Sequence, residues 1–256
     1  MRLALISDVH ANLEALQATL ADIAAQRVDR VVCLGDIVGY NTKPAECLAL
    51  IRGAEALCVA GNHDLAVCER ISTADFSPRA AHAAAWTRAR LSAADLAFLR
   101  DLPLKITIDN RVVAVHGALH PETGCESVRL DNDERRMLSF AALRSHPSGA
   151  RICAFGHTHR AGVYELRGEK TASFSLQETK LRDDAYYLIN PGTVGEPRSR
   201  DRRASYMVLD LGDKCVMHRQ VEYDASVPFV ATRAAGLAPR LGLATIKSKL
   251  RHLLEI

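Results

Sequence analysis

Five segments of this 256-residue chain place acidic, histidine or asparagine side chains directly after short aliphatic runs. Asp8 and His10 follow the run 3–6, and Asp36 follows the run 31–34. The other three segments follow later runs and contribute Asn62 and His63, then His116, then His157 and His159. Carboxylate oxygens, amide oxygens and imidazole nitrogens are ligands for divalent metal ions. The chemistry that these residue types share is therefore metal binding.

The number of donors indicates how many ions they serve. Seven side chains offer oxygen or nitrogen and none offers sulfur: Asp8, His10, Asp36, Asn62, His116, His157 and His159. One divalent ion takes about four to six such ligands, so seven fit two ions that share a carboxylate better than one ion. Two ions about 4 Å apart lower the pKa of a bridging water and clamp phosphoryl oxygens. A site of this kind can hydrolyse a phosphate ester or anhydride through a metal-bridging hydroxide that attacks phosphorus in line.

His63 is the one histidine of these segments that is not among the seven donors counted above. The oxygen that leaves phosphorus needs a proton, and an imidazole beside the metals suits the role of general acid. We therefore predict that His63 is catalytic together with Asp36. Asp64 and Asn41 are two alternatives for the residue that orients the His63 ring, and a histidine that is merely hydrogen-bonded at a turn is the structural alternative.

An alternation of strand and helix patterns positions the first three segments. The pattern predicts strands at 2–7, 30–34 and 55–60, with helices at 11–26 and 44–52 between them. This βαβαβ order is typical of a parallel sheet with helices on its faces. Ligands of such sheets collect at the carboxyl ends of the strands, which is where the acidic residues and histidines fall.

The second half of the chain is mostly β. Two helices are expected within 77–100, the first with Ser77 as N-cap and Pro78 at its first position. The later elements are a hairpin at 104–108 and 111–115, a helix at 132–144 capped by Asp131, and strands at 151–155, 162–166, 172–176, 185–189, 204–210 and 214–222. We predict one domain over 1–224 and a C-terminal helical appendage over 225–256 that packs on the domain or on a partner subunit.

Composition excludes several classes of protein. The chain is 48% hydrophobic and 25% charged with a net charge of +3, which is typical of a globular protein and does not call for nucleic acid. Its seven cysteines are scattered without a C-x-x-C pair, which favours reduced thiols. No apolar run approaches the roughly 18 residues of a membrane helix, and no signal-peptide pattern opens the chain. We expect a cytoplasmic protein with no membrane partner, either monomeric or oligomeric.

Taken in order, the motifs D-x-H, G-D, G-N-H-D, H-G and G-H-x-H over residues 8–159 resemble the calcineurin-like metallophosphoesterase superfamily. The later segment NPGTVG at 190–195 resembles its small bacterial phosphodiesterase-like branch. The resemblance implies an α/β fold, a four-layer αββα sandwich of two mixed β-sheets with flanking helices. It also implies two metal ions per chain, manganese or iron, with zinc and nickel as further options. By similarity, Asp8, His10, Asp36 and His159 hold the first ion, and Asp36, Asn62, His116 and His157 hold the second, with Asp36 as the bridge.

Two positions of this sequence depart from a motif that many members of the superfamily carry. The pattern G-D-x-x-D-R has Gly39 and Tyr40 in its last two places here, which argues against a protein-phosphatase type of site. We expect Tyr40, Asn62, His63 and Arg198 to contact the substrate. Arg198 begins a cluster with Arg200, Arg202 and Arg203, which either grips phosphate or forms a solvated basic loop.

The function predicted from these observations is a divalent-metal-dependent phosphoesterase. Its substrate would be a small phosphorylated molecule, a nucleotide included, with a phosphodiester, a phosphomonoester or a nucleotide phosphoanhydride as the bond that is hydrolysed. Neither the P-loop pattern nor the G-x-S-x-G pattern occurs, which argues against a P-loop enzyme and against a serine hydrolase. The alternative is a catalytically silent metal-binding scaffold or interaction module of the same fold. The presence of every donor favours the enzyme.

Overall fold

Two six-stranded sheets form the centre of the protein. The computed structural model describes residues 1–174 and 177–238. In chain order the strands are β1 (Arg2–Ile6), β2 (Arg30–Cys33), β3 (Leu57–Cys58), β4 (Lys105–Ile108), β5 (Val112–Val115), β6 (Ala118–His120), β7 (Gly124–Glu126), β8 (Ile152–Ala154), β9 (Gly162–Arg167), β10 (Lys170–Ser173), β11 (Glu178–Lys180), β12 (Tyr186–Asn190), β13 (Ala204–Asp210) and β14 (Cys215–Val221). The helices are α1 (Leu13–Ala24), α2 (Pro44–Gly53), α3 (Asn62–Val67), α4 (Pro78–Arg88), α5 (Ala93–Asp101), α6 (Asp133–Arg144) and α7 (Ser226–Ala234).

Both sheets mix parallel and antiparallel pairs. The first has the order β11-β14-β13-β1-β2-β3, and the second has the order β10-β9-β12-β8-β5-β4. In the first sheet, β1, β2 and β3 are parallel, as the βαβαβ pattern predicts. In the second sheet, β5, β8 and β12 are parallel. Their carboxyl ends therefore lie at one edge of each sheet. The short strands β6 and β7 form a separate hairpin.

The alternation of side chains along β1 explains how the layers stack. Leu3 and Leu5 pack between the two sheets, whereas Ala4 and Ile6 face the helices on the outer side of the first sheet. Because both faces are buried, residues 3–6 of the strand are all apolar instead of alternating with polar residues. On the far side of the second sheet, Phe140 of α6 packs in a third apolar cluster, separate from the two that contain the side chains of β1. The predicted four-layer αββα sandwich is confirmed.

Several short elements differ from the sequence prediction. The helix predicted at 132–144 is capped by Asn132 and not by Asp131, because the Asn132 side chain accepts a hydrogen bond from the backbone N–H of Arg135 at 2.9 Å. The strand predicted at 55–60 is reduced to Leu57–Cys58. Helix α3, the β6–β7 hairpin and β11 were not predicted, since elements of three to six residues are too short for a periodic pattern.

The beginning of the predicted C-terminal appendage packs on the body of the protein. Helix α7 is followed by the buried Leu237, which belongs to a small apolar cluster with Tyr40 and Ala83. Arg79 donates a hydrogen bond to the backbone oxygen of Leu237 at 3.0 Å. Residues 239–256 of the predicted appendage lie outside the described residues, and the domain boundary at 224 stays a prediction.

Six of the seven cysteines are buried free thiols: Cys33, Cys47, Cys58, Cys68, Cys153 and Cys215. Burial raises the pKa of the Cys47 thiol well above 9.0, so this side chain behaves as a small apolar residue. Among the helices that the structure describes, none has the length and apolar character needed to cross a membrane.

Candidate metal centre

The predicted donors meet where the strand ends of the two sheets come together. Three overlapping groups each bring their donor atoms within 4.8 Å of one another: Asp8, His10 and His159; His10, Asp36 and His63; Asp36, His116 and His157. The first sheet supplies the donors before residue 65, and the second sheet supplies the later histidines. The loops at the edges of both sheets thus form one buried cluster.

Asp8, His10 and His159 form one side of the cluster. The Nε2 atoms of His10 and His159 lie 3.2 Å apart, and His159 Nε2 lies 3.3 Å from Asp8 Oδ1. That oxygen is fully buried and accepts no hydrogen bond from the described residues. A buried carboxylate oxygen without a donor is costly unless a cation satisfies it.

His116 lies at the centre of the other side. Its Nε2 atom lies 3.1 Å from Asn62 Oδ1, 3.1 Å from His157 Nδ1 and 3.3 Å from Asp36 Oδ2. The same Asp36 oxygen lies 3.6 Å from His10 Nε2. Oδ2 of Asp36 therefore faces both sides of the cluster, as the atom of a bridging ligand must.

Backbone carbonyl groups fix the ring orientation of three histidines. The Nδ1 atom of each ring lies at hydrogen-bond distance from a carbonyl oxygen: His10 from Val38 at 3.2 Å, His116 from Leu34 at 2.7 Å and His159 from Glu196 at 2.7 Å. A carbonyl only accepts, so each Nδ1 carries a proton, and in the tautomer that binds a metal the lone pair of Nε2 points into the cluster. Two lone pairs 3.2 Å apart repel each other, and a shared cation relieves that repulsion. The donor set therefore fits divalent metal ions.

The electrostatics of the cluster also suit cation binding. Burial lowers the pKa of His10 well below 6.5 and that of His157 to about 2, so both rings are neutral. Burial alone would raise the pKa of Asp36, but the adjacent His116 and His63 lower it well below 3.8. Against the effect of burial, Asp36 raises the pKa of His116 to about 9. Metal binding at His116 must therefore displace a proton.

The backbone at the donors is unusual. Five of them have a left-handed φ angle: Asp8 at 53°, His10 at 49°, Asp36 at 54°, His157 at 64° and His159 at 58°. Residues other than glycine seldom adopt this region, and it persists where surrounding contacts impose it. Those contacts join the loops after β1 and β2, since the N–H of Asp8 donates to Gly35 O at 3.1 Å and that of His10 donates to Asp36 O at 2.9 Å.

The segment that begins at Asn190 braces the donor loops. Asn190 Nδ2 donates to the backbone oxygen of Gly156, directly before His157, at 2.8 Å. Thr193 Oγ1 donates to the backbone oxygen of Asp8 at 2.8 Å. One loop after β12 therefore ties the edges of both sheets together, which gives the NPGTVG segment a physical role that the sequence did not reveal.

A glycine allows α3 to approach the cluster. A Cβ atom on Gly61 would lie 2.1 Å from Asp36 Oδ1, so no larger residue fits there. The close approach lets the N–H of His63 donate to Asp36 Oδ1 at 2.8 Å. One oxygen of Asp36 is thus held by α3, and the other remains directed at the donors.

Neither of the residues suggested from the sequence orients His63. The Asp64 carboxylate accepts hydrogen bonds from the N–H groups of Val38 at 3.1 Å and Gly61 at 3.0 Å. The Asn41 amide donates to the backbone oxygen of His10 at 2.9 Å. Both suggestions were wrong because these polar groups are used by the backbone of the loops.

Ring packing holds His63 instead. Its ring lies 4.6 Å from that of Tyr40, 4.8 Å from that of His10 and 5.2 Å from that of Phe76, between centroids. The residue is 4% exposed, and Nδ1 makes no hydrogen bond with the described residues. Burial lowers the pKa of His63 below 6.5. Tyr40 is itself buried, and its ring packs against the imidazoles of both His63 and His10. Its contact with substrate stays a prediction.

Arg79 of α4 is a residue of the site that the sequence did not indicate. Its guanidinium lies 4.4 Å from the centre of the Tyr40 ring and pairs with Glu196 Oε1 at 2.7 Å. Tyr40 packs on His10, and the backbone oxygen of Glu196 accepts from His159. Arg79 therefore contacts the two residues that hold His10 and His159 in place. Its sequence position, two residues after the N-cap of α4, gives no signal for this role.

The predicted arginine cluster divides in the structure. Arg198 Nη2 lies 3.3 Å from His159 Nε2, so this guanidinium reaches the donors. Arg203 instead pairs with Asp201 at 2.7 Å. Arg200 and Arg202 are exposed in the same loop. Of the alternatives for this loop, phosphate contact is compatible with the position of Arg198.

The fold and the donor cluster define a calcineurin-like metallophosphoesterase. The model of the calcineurin-like phosphoesterase superfamily domain matches residues 1–214, and the chain belongs to this family of metal-dependent phosphoesterases. The predicted resemblance is confirmed.

Relatives from bacteria and archaea share nearly the whole chain. Protein MJ0912 of Methanocaldococcus jannaschii is 37% identical over 228 residues, which cover 87% of this chain and 88% of that protein. A metallophosphoesterase from Sphaerobacter thermophilus has a similar crystal structure, with a TM-score of 0.77, 35% identity and coverage of 93% of this chain and 95% of that chain. Protein PH1004 from Pyrococcus horikoshii OT3 shares the fold at a TM-score of 0.75 and 17% identity, over 94% of this chain and 95% of that chain.

Proposed function

We propose that the protein hydrolyses a small phosphorylated substrate with two divalent metal ions bound at the donor cluster. The first ion would be held by Asp8, His10, Asp36 and His159, and the second by Asp36, Asn62, His116 and His157. The observation that carries the proposal is the position of Asp36 Oδ2, 3.3 Å from His116 Nε2 on one side and 3.6 Å from His10 Nε2 on the other. Manganese or iron is the expected metal, with zinc and nickel as alternatives.

Bound ions of this kind supply Lewis acidity toward phosphoryl oxygens and activate water. The protein supplies the remaining functions with its own side chains. Asp36 is held in place by the backbone N–H of His63, so its position is fixed before substrate binds. Arg198, which contacts His159 at the edge of the cluster, contributes positive charge for the substrate phosphate.

His63 is proposed as the donor of a proton to the leaving oxygen. It lies among the donors without being needed as a ligand, and packing on Tyr40 and His10 restricts its ring. Its lowered pKa makes the protonated ring the minor form at neutral pH. A strongly basic leaving oxygen departs only when it is protonated, so the contribution of His63 should matter most for substrates with such a leaving group.

The proposal is tested with metal-stripped protein to which Mn²⁺ is added back. The substrates are bis-4-nitrophenyl phosphate and 4-nitrophenyl phosphate, which report diesterase and monoesterase activity. We expect Mn-dependent release of 4-nitrophenol, and we expect D36N to lose both bound metal and turnover. A suitable control is D109N, because Asp109 also has a left-handed φ of 47° but lies in an exposed hairpin turn.

Two results would contradict the proposal. Turnover by D36N at the wild-type rate would remove Asp36 from the mechanism. Two bound ions without turnover of any phosphate ester or anhydride would favour the catalytically silent scaffold.

A further inference from the structure

A cavity of about 360 Å³ lies directly beside the metal centre. Loop residues after β8 and β12 form one side of it, and β13 and β14 form the other. His159 and Arg198 line the cavity, and their side chains contact each other at 3.3 Å. The cavity and the donor cluster therefore share a wall, so a substrate bound at the metals could extend into the cavity.

Positive charge dominates the lining. The charged side chains of the lining are three arginines, Arg160, Arg198 and Arg203, and one carboxylate, Asp201. Their net formal charge is +2. Asp201 is already paired with Arg203 at 2.7 Å. Arg160 and Arg198 make no ion pair within residues 1–174 and 177–238. Two arginines without a carboxylate partner at one cavity favour an anionic ligand.

One of the two unpaired arginines borders the metal centre. Arg198 contacts the His159 ring, and Arg160, the residue after His159 in the chain, lines the same cavity. Another part of the lining is polar and neutral. Ser205 Oγ donates to the backbone oxygen of Pro191 at 2.6 Å and therefore accepts from His218 Nε2 at 2.8 Å. The charge is thus placed for a group attached to the reacting phosphate.

We propose that this cavity binds a second phosphate group of the substrate, which makes a phosphoanhydride the preferred substrate class. This inference rests on the proposed function of the metal centre. In the reaction, a water oxygen forms a new bond to the phosphorus at the metals, and the bond from that phosphorus to the bridging oxygen breaks. The bridging oxygen leaves on the second phosphate, which Arg160 and Arg198 hold, and the protons of water pass to the leaving phosphate and to solvent.

The test compares substrates with one phosphate and with several. KM for inorganic tripolyphosphate and for 4-nitrophenyl phosphate is measured by phosphate release at a fixed free Mn²⁺ concentration. The variant R160Q removes one unpaired arginine, and R167Q is the control because Arg167 is exposed at the end of β9 and pairs with Asp184 outside the cavity. One charged hydrogen bond changes affinity by about tenfold or more. We expect the ratio of the tripolyphosphate KM to the 4-nitrophenyl phosphate KM to rise about tenfold in R160Q and to stay within twofold in R167Q.

A binding measurement separates this inference from the proposed function. Calorimetric titration at fixed free Mn²⁺ compares methylenebisphosphonate, which has two phosphonates and is not hydrolysed, with methylphosphonate. We expect the bisphosphonate to bind at least tenfold more tightly, with R160Q losing most of that difference and R167Q keeping it. Equal affinities, or an unchanged KM ratio in R160Q, would overturn the second-phosphate site even if 4-nitrophenyl phosphate is hydrolysed. Absence of turnover with every substrate would instead count against the phosphoesterase.

Discussion

At the scale of single residues, the cluster depends on how each donor is held by groups outside it. Three imidazoles receive their orientation from backbone carbonyl oxygens, and Asp36 receives it from the N–H of His63. Partners of this kind fix the tautomer of a metal ligand, and their loss typically costs 10- to 100-fold in affinity or activity. Side chains that hold these partners should therefore affect the site without touching a metal.

Arg79 provides a direct test of that expectation. R79M removes the ion pair to Glu196 and the contact with Tyr40, so we expect Mn²⁺ affinity or kcat to fall about 10- to 100-fold. R79K should recover part of the loss, since lysine keeps the charge but not the planar fork. Metal affinity is measured by calorimetry and kcat with 4-nitrophenyl phosphate.

Arg88 on the same helix supplies the matched control. It also makes one ion pair, to Glu69 at 2.8 Å, and one hydrogen bond to a backbone oxygen, that of Val67 at 2.9 Å. R88M should therefore cost similar folding stability but leave metal affinity and kcat within twofold of wild type. Equal metal affinity in R79M and R88M would show that Arg79 is structural only.

The role of His63 is tested by changing the leaving group. H63A should retain both metal ions and should slow hydrolysis of an alkyl phosphate by about 10²- to 10⁴-fold, since general acid catalysis contributes that much. The rate with 4-nitrophenyl phosphate should fall less, because 4-nitrophenolate leaves without a proton. H82A, at an exposed histidine of α4, is the control. Wild-type turnover of the alkyl phosphate by H63A would remove the general-acid role.

At the scale of elements, a charged contact fastens α1 to the first sheet. Asp22 of α1 accepts hydrogen bonds from Tyr206 of β13 at 2.5 Å and from Arg219 of β14 at 2.8 Å and 2.9 Å. We expect D22N to lower the free energy of unfolding by about 2 kcal/mol, because charge-assisted bonds weaken and the Tyr206 hydroxyl keeps a poorer acceptor. Chemical denaturation measures the change, with E14Q on the same helix as the control.

The same contact predicts a dependence on pH. Its hydrogen bond to Arg219, followed by the Tyr206 bond, lowers the pKa of Asp22 below 3.8, against the opposing effect of burial. A carboxylate with a lowered pKa stabilises the folded state above its unfolded pKa and loses that contribution as pH falls through the folded value. The stability difference between wild type and D22N should thus be constant above about pH 5 and should shrink below pH 4. A difference that stays constant down to pH 2 would contradict the pKa shift.

The elements also show which parts of the fold the sequence could predict. The apolar runs that became β1 and β13 were predicted nearly to the residue, because both faces of these strands are buried. Helix α3 was missed because its six residues begin with Asn62 and His63, whose types are set by the site. The left-handed φ angles of five donors also have no local signal, since tertiary contacts between loops impose them.

At the scale of the whole molecule, the metal centre is a junction between the two sheets. Asp8 and Asp36 follow strands of the first sheet, whereas His116 and His157 follow strands of the second. Residue spacing within one sheet predicted that donors gather at its edge. Nothing in that spacing says that two edges face each other, and only the family resemblance implied it. The contact is close, because a Cβ on Gly156 would lie 1.9 Å from Ser7 Oγ.

The central claim is that Asp36 bridges two metal ions at this junction, and anomalous diffraction from crystals grown with Mn²⁺ tests it most directly. We predict two anomalous peaks about 4 Å apart, both at ligand distance from the Asp36 carboxylate. One should contact Asp8 and the other His116. A single peak, or two peaks of which only one contacts Asp36, would contradict the two-metal account.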